Sequence, residues 1–488
     1  MFEARHSALL CEISRHAINT PDKLALVEGD AFVSYAQLIE HIEQAACFMQ
    51  SLGLKPGDRI VLAAQKELPF VYYYLAAHLM GVVNVVVDAT APRDRLDYII
   101  RVVKPAALFG SGLCDFGDVN CYDFKAPHNS IIPALDLPHV DAADVADVMF
   151  TTGTTGAPKG VCLSHANVAG SASNTNGFIG TTDTDVEALA LPLSHSFGLG
   201  RMRCVLMAGA TLVLVNNFAN LKSFFTVLDQ WHVTGFGMVP AVWQYIKRLS
   251  GRRIARFADR LRYIEIGSAA LPVADKRMLI EMFPNTRLCM HYGLTEASRA
   301  MFIEFHADAD KLESVGRPAS PLVEACVLDD DGHLVEDGVD GEICISGNMV
   351  THSYFNPDDN AAGFHGKWFR TGDWGHRDSN GLFFLTGRKK ELINVGGEKV
   401  SPATIEDAMR SLDCVADCAC IAIPDPNGVL GEVPKAYLVQ AGDRISIEDI
   451  KSQLAGLLPP HEIPVCWEWI DSIPRTASGK IQRLKLKQ

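Results

Sequence analysis

Between Ser34 and Val87 the hydrophobic spacing alternates between the helical and the extended period, and this limits the fold more than any other feature. Leu38, Ile42, Ala45, Phe48 and Met49 share one helical face within 34–52. A Lys55-Pro56-Gly57-Asp58 turn leads into a strand pattern over 59–63. A second helix is expected over 70–80 and a strand over 82–87. Strand, helix and strand in series call for parallel sheet with helices laid over its faces. The stretch 314–372 differs, with short alternating strands punctuated by Asp329-Asp330-Asp331-Gly332, Asp337-Gly338 and Asp340-Gly341, which predicts an antiparallel, barrel-like subdomain. After Gly387-Arg388-Lys389-Lys390 the pattern resets. A glycine pair (Gly396-Gly397), a helix from about Pro402 to Leu412, strands at 415–423 and 433–439 and a helix over about 447–457 make a small α+β domain.

A chain of 488 residues is too long for one compact core and has room for about three units of ~150 residues. With 48% apolar and 21% charged residues it is globular in composition. Its net charge of −14 argues against sequence-independent nucleic-acid binding, which needs a cationic face. Any polyanion it handles should be small and locally held.

The thirteen cysteines lack tandem CxxC pairs, and free thiols in a reducing cytosol are the simplest reading. Cys414, Cys418 and Cys420 come nearest to a cluster but fall in the strand pattern of 415–423. The first residues, MFEARHSALLCEISRH, carry charges at Glu3, Arg5, Glu12 and Arg15 and do not read as a secretion signal. The most apolar stretch, 70–87, is broken by His78, Gly81 and Asn84 and reads as a helix turning into a strand, not a membrane span. A cytoplasmic protein is expected.

The strongest local signal is Thr151-Thr152-Gly153-Thr154-Thr155-Gly156-Ala157-Pro158-Lys159-Gly160. Glycines let the backbone aim its N–H groups at one point, hydroxyls add donors and a lysine adds charge, which is what gripping phosphate oxygens requires. The spacing is not that of a Walker A loop. Apolar runs at 148–150 and 161–163 flank it, so it joins two strands, with Ser164 as the N-cap of the next helix.

Seven further segments accompany this loop: Leu191-Pro192-Leu193-Ser194-His195-Ser196-Phe197-Gly198, Gly267-Ser268-Ala269-Ala270-Leu271-Pro272, Tyr292-Gly293-Leu294-Thr295-Glu296, Gly341-Glu342-Ile343, Thr371-Gly372-Asp373, Gly387-Arg388-Lys389-Lys390, and Pro474-Arg475-Thr476-Ala477-Ser478-Gly479-Lys480. In content and order the chain resembles the adenylate-forming superfamily of acyl-CoA synthetases, non-ribosomal adenylation domains and luciferases, from Pro21 to Lys480. The resemblance implies a large AMP-binding domain over 1–388 with the barrel-like part at 314–386, a hinge at 389–391 centred on Lys390, and a small mobile domain over 392–488. It implies ATP, Mg²⁺ and CoA, or a carrier protein's phosphopantetheine, as the molecules handled. Thr151, Thr152, Gly153, Thr154, Thr155, Gly156 and Lys159 would hold phosphate. Gly267, Ser268, Ala269, His291, Tyr292, Gly293 and Thr295 would border the nucleotide, with Tyr292 stacking on adenine. Glu296 would be the Mg²⁺ carboxylate, and Asp373 and Arg388 would hold the ribose. Lys480, with His195, Thr295 and Glu296, would carry the chemistry, because an ammonium reaching both carboxylate and α-phosphate stabilises the charge built up in the transition state. Gly397 would line a pantetheine channel. The acid pocket would involve His195, Phe197, Val239, Gly267 and Gly293.

Around Phe197 the sequence offers no aspartate to pair with an ammonium, so free α-amino acids are disfavoured and aryl or aliphatic acids remain. Two departures from the family pattern stand out. Asn394 sits where many such ligases have lysine, and Leu458-Pro459-Pro460-His461-Glu462-Ile463-Pro464 lacks the usual Tyr-Lys. An acid–CoA ligase is the leading reading, a stand-alone adenylation enzyme loading a carrier protein the alternative, and an inactive nucleotide-sensing module a third. Lys159, Glu296, Asp373 and Lys480, all retained, speak against the last.

Overall fold

The computed structural model describes residues 7–112, 116–117, 119–124, 135, 137–151, 158–361, 363–442, 445–475 and 481–486. By internal contacts the chain forms two compact units, one of residues 1–324 and 345–369, the other of 325–344 and 370–488.

The first unit holds two large sheets. Six parallel strands form the body of a nine-stranded sheet, in the spatial order Arg287–Tyr292, Tyr263–Ile266, Gly235–Met238, Val186–Leu189, Thr211–Leu214 and Leu24–Glu28. Antiparallel strands Met301–Glu304 and Arg317–Pro318 extend one edge, and Ala31–Ser34 closes the other. A seven-stranded sheet runs Ser353–Tyr354, Gly160–Ser164, Val145–Phe150, Val83–Asp88, Arg59–Ala64, Ala107–Phe109, Cys121–Tyr122. Its Val83–Asp88 strand is buried but for its last residue, as expected of parallel strands covered on both faces. Helix Leu68–Met80 is buried nearly all round. It ends at Gly81, whose φ of 65° strains any other residue and where a Cβ would press on Pro56 and Val140 at 3.3 Å. Helix Tyr35–Ser51 starts with a reciprocal capping box between Ser34 and Gln37, and His165–Ile179 with one between Ser164 and Asn167.

The expected alternation is present: helices Tyr35–Ser51 and Leu68–Met80 alternate with strands Arg59–Ala64 and Val83–Asp88. An antiparallel five-stranded sheet includes Val323–Leu328, Gly341–Gly347, Trp368–Arg377, Phe364–His365 and Phe383–Arg388. Two short strands within 314–386 lie elsewhere: Arg317–Pro318 joins the nine-stranded sheet and Ser353–Tyr354 the seven-stranded one.

In the second unit, helices Pro402–Arg410 and Ile447–Leu454 accompany a sheet of Val415–Pro424, Glu432–Gln440 and Cys466–Trp469. Ile405, Met409, Cys418, Cys420, Leu438, Ile450 and Leu454 form its core. Strands Ile393–Val395 and Glu398–Val400 make a hairpin whose two-residue tip is Gly396-Gly397, with φ of 63° and 103°. Positive φ at both residues is what such a tight turn demands. No helix among the described residues is long and apolar enough to cross a membrane.

Candidate active site

The threonine- and glycine-rich loop hangs between antiparallel strands Val145–Phe150 and Gly160–Ser164, in register Phe150 to Gly160 and Met149 to Val161. Its base is closed by the Thr151 N–H donating to the Lys159 carbonyl at 2.9 Å. Thr152, Gly153, Thr154, Thr155 and Gly156 lie outside the described residues. Lys159 is half exposed and pairs with Asp359 at 2.7 Å, its Nζ 5.4 Å from the Tyr354 ring centroid.

Tyr354 ties this loop to the Tyr292–Glu296 motif. Its hydroxyl donates to Glu296 Oε1 at 3.0 Å, and burial with the adjacent Glu296 raises its pKa. The Thr351 N–H donates to the Glu296 carbonyl at 2.8 Å. Strand Ser353–Tyr354 pairs with Cys162 and Val161 beyond the phosphate loop. The carboxylate and the lysine flank of the loop are thus braced by one tyrosine. Tyr292 ends strand Arg287–Tyr292 and is 9% exposed. The chain then reverses, with Leu294 and Ala297 exchanging backbone hydrogen bonds and Thr295 half-buried between them. Gly293 is required there, since a Cβ would sit 2.5 Å from the Arg299 nitrogen and 2.7 Å from the Ala297 carbonyl oxygen.

His195 precedes helix Ser196–Met207. The residue is exposed. Burial lowers its pKa, with Asp88 pulling it up and Arg95 down, so the imidazole is neutral at pH 7. Phe197 is buried, and Val239 is half-buried ahead of helix Pro240–Ser250. Gly267 is buried after strand Tyr263–Ile266, while Ser268 is exposed with φ 75°, an uncommon angle for a residue with a side chain. Ala269 is half-buried.

Behind these motifs lies a charge network that sequence reasoning missed. Glu265, fully buried, has Arg299 Nε at 2.8 Å, Arg201 Nη1 at 3.2 Å and His291 Nδ1 at 2.7 Å. Arg201 also pairs with buried Glu187, which accepts from the Tyr263 hydroxyl at 2.6 Å. Arg299 donates to the Phe197 carbonyl at 2.7 Å. Burial alone would raise the Glu265 pKa, but Arg299 and Arg201 outweigh it and hold the carboxyl ionised, well below the usual range. The structure therefore does bring an acid close behind Phe197, but cationic neighbours already engage it. His291 packs edge-on against Phe197, ring centroids 4.6 Å apart. The signal for this network was a lone glutamate inside each of two apolar strands, Val186–Leu189 and Tyr263–Ile266.

The second unit carries Asp373 and Arg388, directly opposite each other on paired strands, with Arg388 Nε 2.7 Å from Asp373 Oδ1. The Asp373 N–H donates to Thr371 Oγ1 at 3.0 Å, and Thr371 donates to the Ile343 carbonyl at 2.7 Å. Lys389 pairs with Asp330 and Glu342, each at 2.9 Å, and Lys390 is exposed. Asn394 Oδ1 accepts from the Gly397 N–H at 2.9 Å, so this departure from lysine braces the glycine tip. Lys480 lies outside the described residues. Arg475 bridges to Ile481 and pairs with Asp417 at 2.8 Å.

The family model for AMP-binding enzymes matches residues 13–355, and that for the AMP-binding enzyme C-terminal domain matches 404–480. The 2-succinylbenzoate–CoA ligase of Bacillus licheniformis is 28% identical over 97% of this chain and 98% of that protein. The oxalate–CoA ligase of Arabidopsis thaliana is 30% identical over 95% of each. Among solved structures, o-succinylbenzoate CoA synthetase (MenE) from Bacillus subtilis, in complex with the acyl-adenylate intermediate OSB-AMP, aligns with a TM-score of 0.88 and 26% identity over 98% of both chains. With two family matches that together span most of its length, the chain belongs to the AMP-binding enzymes of the adenylate-forming superfamily.

Proposed function

We propose that this protein is an ATP-dependent acid–thiol ligase whose acceptor is CoA. In the first half-reaction a carboxylate oxygen of an organic acid bonds to the α-phosphorus of ATP, the bond to the β-phosphate oxygen breaks, and pyrophosphate leaves. In the second, the CoA thiol loses its proton, its sulfur bonds to the acyl carbon, and AMP departs. The observation that carries this reading is the brace from Lys159 through Tyr354 to Glu296, which links a phosphate-gripping loop to a carboxylate suited to a hard cation.

One protein carboxylate, flanked by a hydroxyl-rich turn, fits Mg²⁺, which takes one or two such ligands and fills its shell with phosphate and water. Bound there by Glu296, the ion would neutralise phosphate charge. Residues of the 151–159 loop hold the phosphates, Tyr292 offers its ring to adenine, and Asp373 with Arg388 takes the ribose hydroxyls. His195, Phe197, Val239, Gly267 and Gly293 border the acid. Lys480 stabilises the charge that develops during adenylation. Lys390 is the hinge about which 392–488 turns between half-reactions, bringing Gly397 to the pantetheine arm. ATP and CoA as co-substrates and an excess of free cysteines support a cytoplasmic setting.

Supplying acid and ATP and measuring pyrophosphate, then adding CoA or a phosphopantetheinylated carrier protein and measuring thioester, tests the reading. Thioester with CoA is expected; thioester with carrier protein alone would replace CoA as the acceptor. Lys480→Ala should lower adenylation on the order of 10²–10³-fold while thioester formation from a supplied acyl-adenylate survives. Lys390→Pro should spare adenylation and block the thioester step, and unimpaired overall turnover would remove the hinge assignment.

A further inference from the structure

Arg299 follows the Tyr292–Glu296 turn with its backbone at φ 54°, in the left-handed region that a residue with a side chain seldom enters. Its guanidinium is buried and every nitrogen is engaged. Nη2 donates to the Phe197 carbonyl at 2.7 Å and Nε to Glu265 Oε1 at 2.8 Å. Nη1 reaches the Ser196 carbonyl at 3.5 Å and Ser298 Oγ at 3.4 Å. Cζ stands 5.1 Å from the Phe197 ring centroid. Two glycines clear the way, since a Cβ at Gly200 would overlap Nη1 and one at Gly293 would press on the Arg299 backbone nitrogen.

Ser196, Phe197 and Gly200 belong to the start of helix Ser196–Met207, whereas Gly293 opens the turn that carries Thr295 and Glu296. One side chain therefore clasps two segments far apart in sequence. The turn is held on its other side, where the Glu296 carbonyl accepts from the Thr351 N–H and Ala297 bridges to Val350. The helix is held one turn further on, where Arg201 pairs with Glu187 and Glu265.

We propose that Arg299 is a positioning residue for adenylation, which sets the separation between the His195–Phe197 segment beside the acid and Thr295 and Glu296 beside the phosphates. This rests on the ligase reading above and adds to it a residue that works through those two segments. Bonding a carboxylate oxygen to the α-phosphorus needs the partners aligned at near contact, and a misplacement of about 1 Å costs on the order of 10²-fold. Once the acyl-adenylate exists, a covalent bond fixes that separation. Thioester formation then no longer depends on the clasp.

Arg299→Lys tests this. Lysine keeps a positive charge beside Glu265, but one ammonium does not reproduce the planar fork that reaches Glu265 and the Phe197 carbonyl together. With an acid that the wild-type protein turns over, kcat for pyrophosphate release should fall on the order of 10- to 100-fold. Thioester formation from the supplied acyl-adenylate, with the thiol acceptor the wild-type protein uses, should stay near the wild-type rate. Gly200→Ala installs a better helix former yet pushes the guanidinium aside, and it should show the same split to a lesser degree. Equal losses in both half-reactions, or none in the first, overturn the inference and leave the ligase reading standing. If Arg299→Lys does not fold, Gly200→Ala decides by the same comparison; if neither folds, Arg299 serves the fold and the inference falls. A wild-type protein that releases no pyrophosphate with any of a broad panel of acids overturns the ligase reading, and this assignment with it.

Discussion

Two ionic clusters in this molecule use the same residue types under opposite conditions. In the first unit Glu187, Arg201, Glu265 and Arg299 are buried to within 2% of full enclosure, and each charge faces at least one opposite charge. In the second unit Asp330 joins Lys389 and Lys399, while Glu342 joins Arg370 and Lys389. Of that group only Glu342 is buried; the Asp330 side chain is 57% exposed. Water screens the second cluster and not the first. A buried charge robbed of its partner is strongly destabilising, whereas an exposed pair contributes little. The enclosed cluster can hold the Phe197 carbonyl in one geometry. The wet one lies beside Lys390 and can be exchanged at small cost.

The sharpest way to break this contrast is Glu265→Ala, which leaves two guanidinium groups without their shared anion. It should cost about 3–5 kcal/mol, read by denaturant unfolding; a cost near zero would show that the network is not structurally committed. Acid titration comes next. Glu265, and Asp147 in a second buried cluster with Arg203 and His78, both have folded pKa values below their unfolded ones: burial raises each, but nearby cations prevail. Their contribution is therefore fully present above the unfolded range near pH ~4 and lost as pH falls through the folded values. Thermal scans should show Tm dropping below that range, and Asp147→Asn should flatten the drop.

Gly267→Ala should cost roughly 1–3 kcal/mol because its Cβ would overlap the His291 ring, and removing the ring with His291→Ala in the same chain should relieve the crowding. The smallest effect is expected for Asp330→Ala, under ~1 kcal/mol and fading at high salt. The exposed cluster holds the Asp330 pKa near 2 through hydrogen bonds from Lys399 and Lys389. A salt-independent loss of several kcal/mol would erase the distinction between the two regions.

Much of this architecture was readable because its signals are local. Strand Val83–Asp88 is apolar at Val83, Val85, Val86 and Val87, and Ser164 announced a helix start through its cap. The charge network was not legible, because Glu187, Arg201, Glu265, His291 and Arg299 span more than a hundred positions and only the sheet order brings them together. Tyr354 escaped notice because its strand lies within a stretch patterned like a barrel and yet pairs with Cys162 and Val161. No nearest-neighbour pattern encodes such a pairing. Nor could the sequence show that the His291 ring lies against the Gly267 backbone.

The glycine tip of the 393–400 hairpin has a practical consequence for anyone altering this turn. With φ of 63° and 103° in succession, almost any side chain placed there strains the backbone whatever its chemistry, so mutational drift at the tip is closed off. Libraries that diversify this hairpin would do better to vary Asn394, Glu398 and Lys399, which border the tip on ordinary strand geometry.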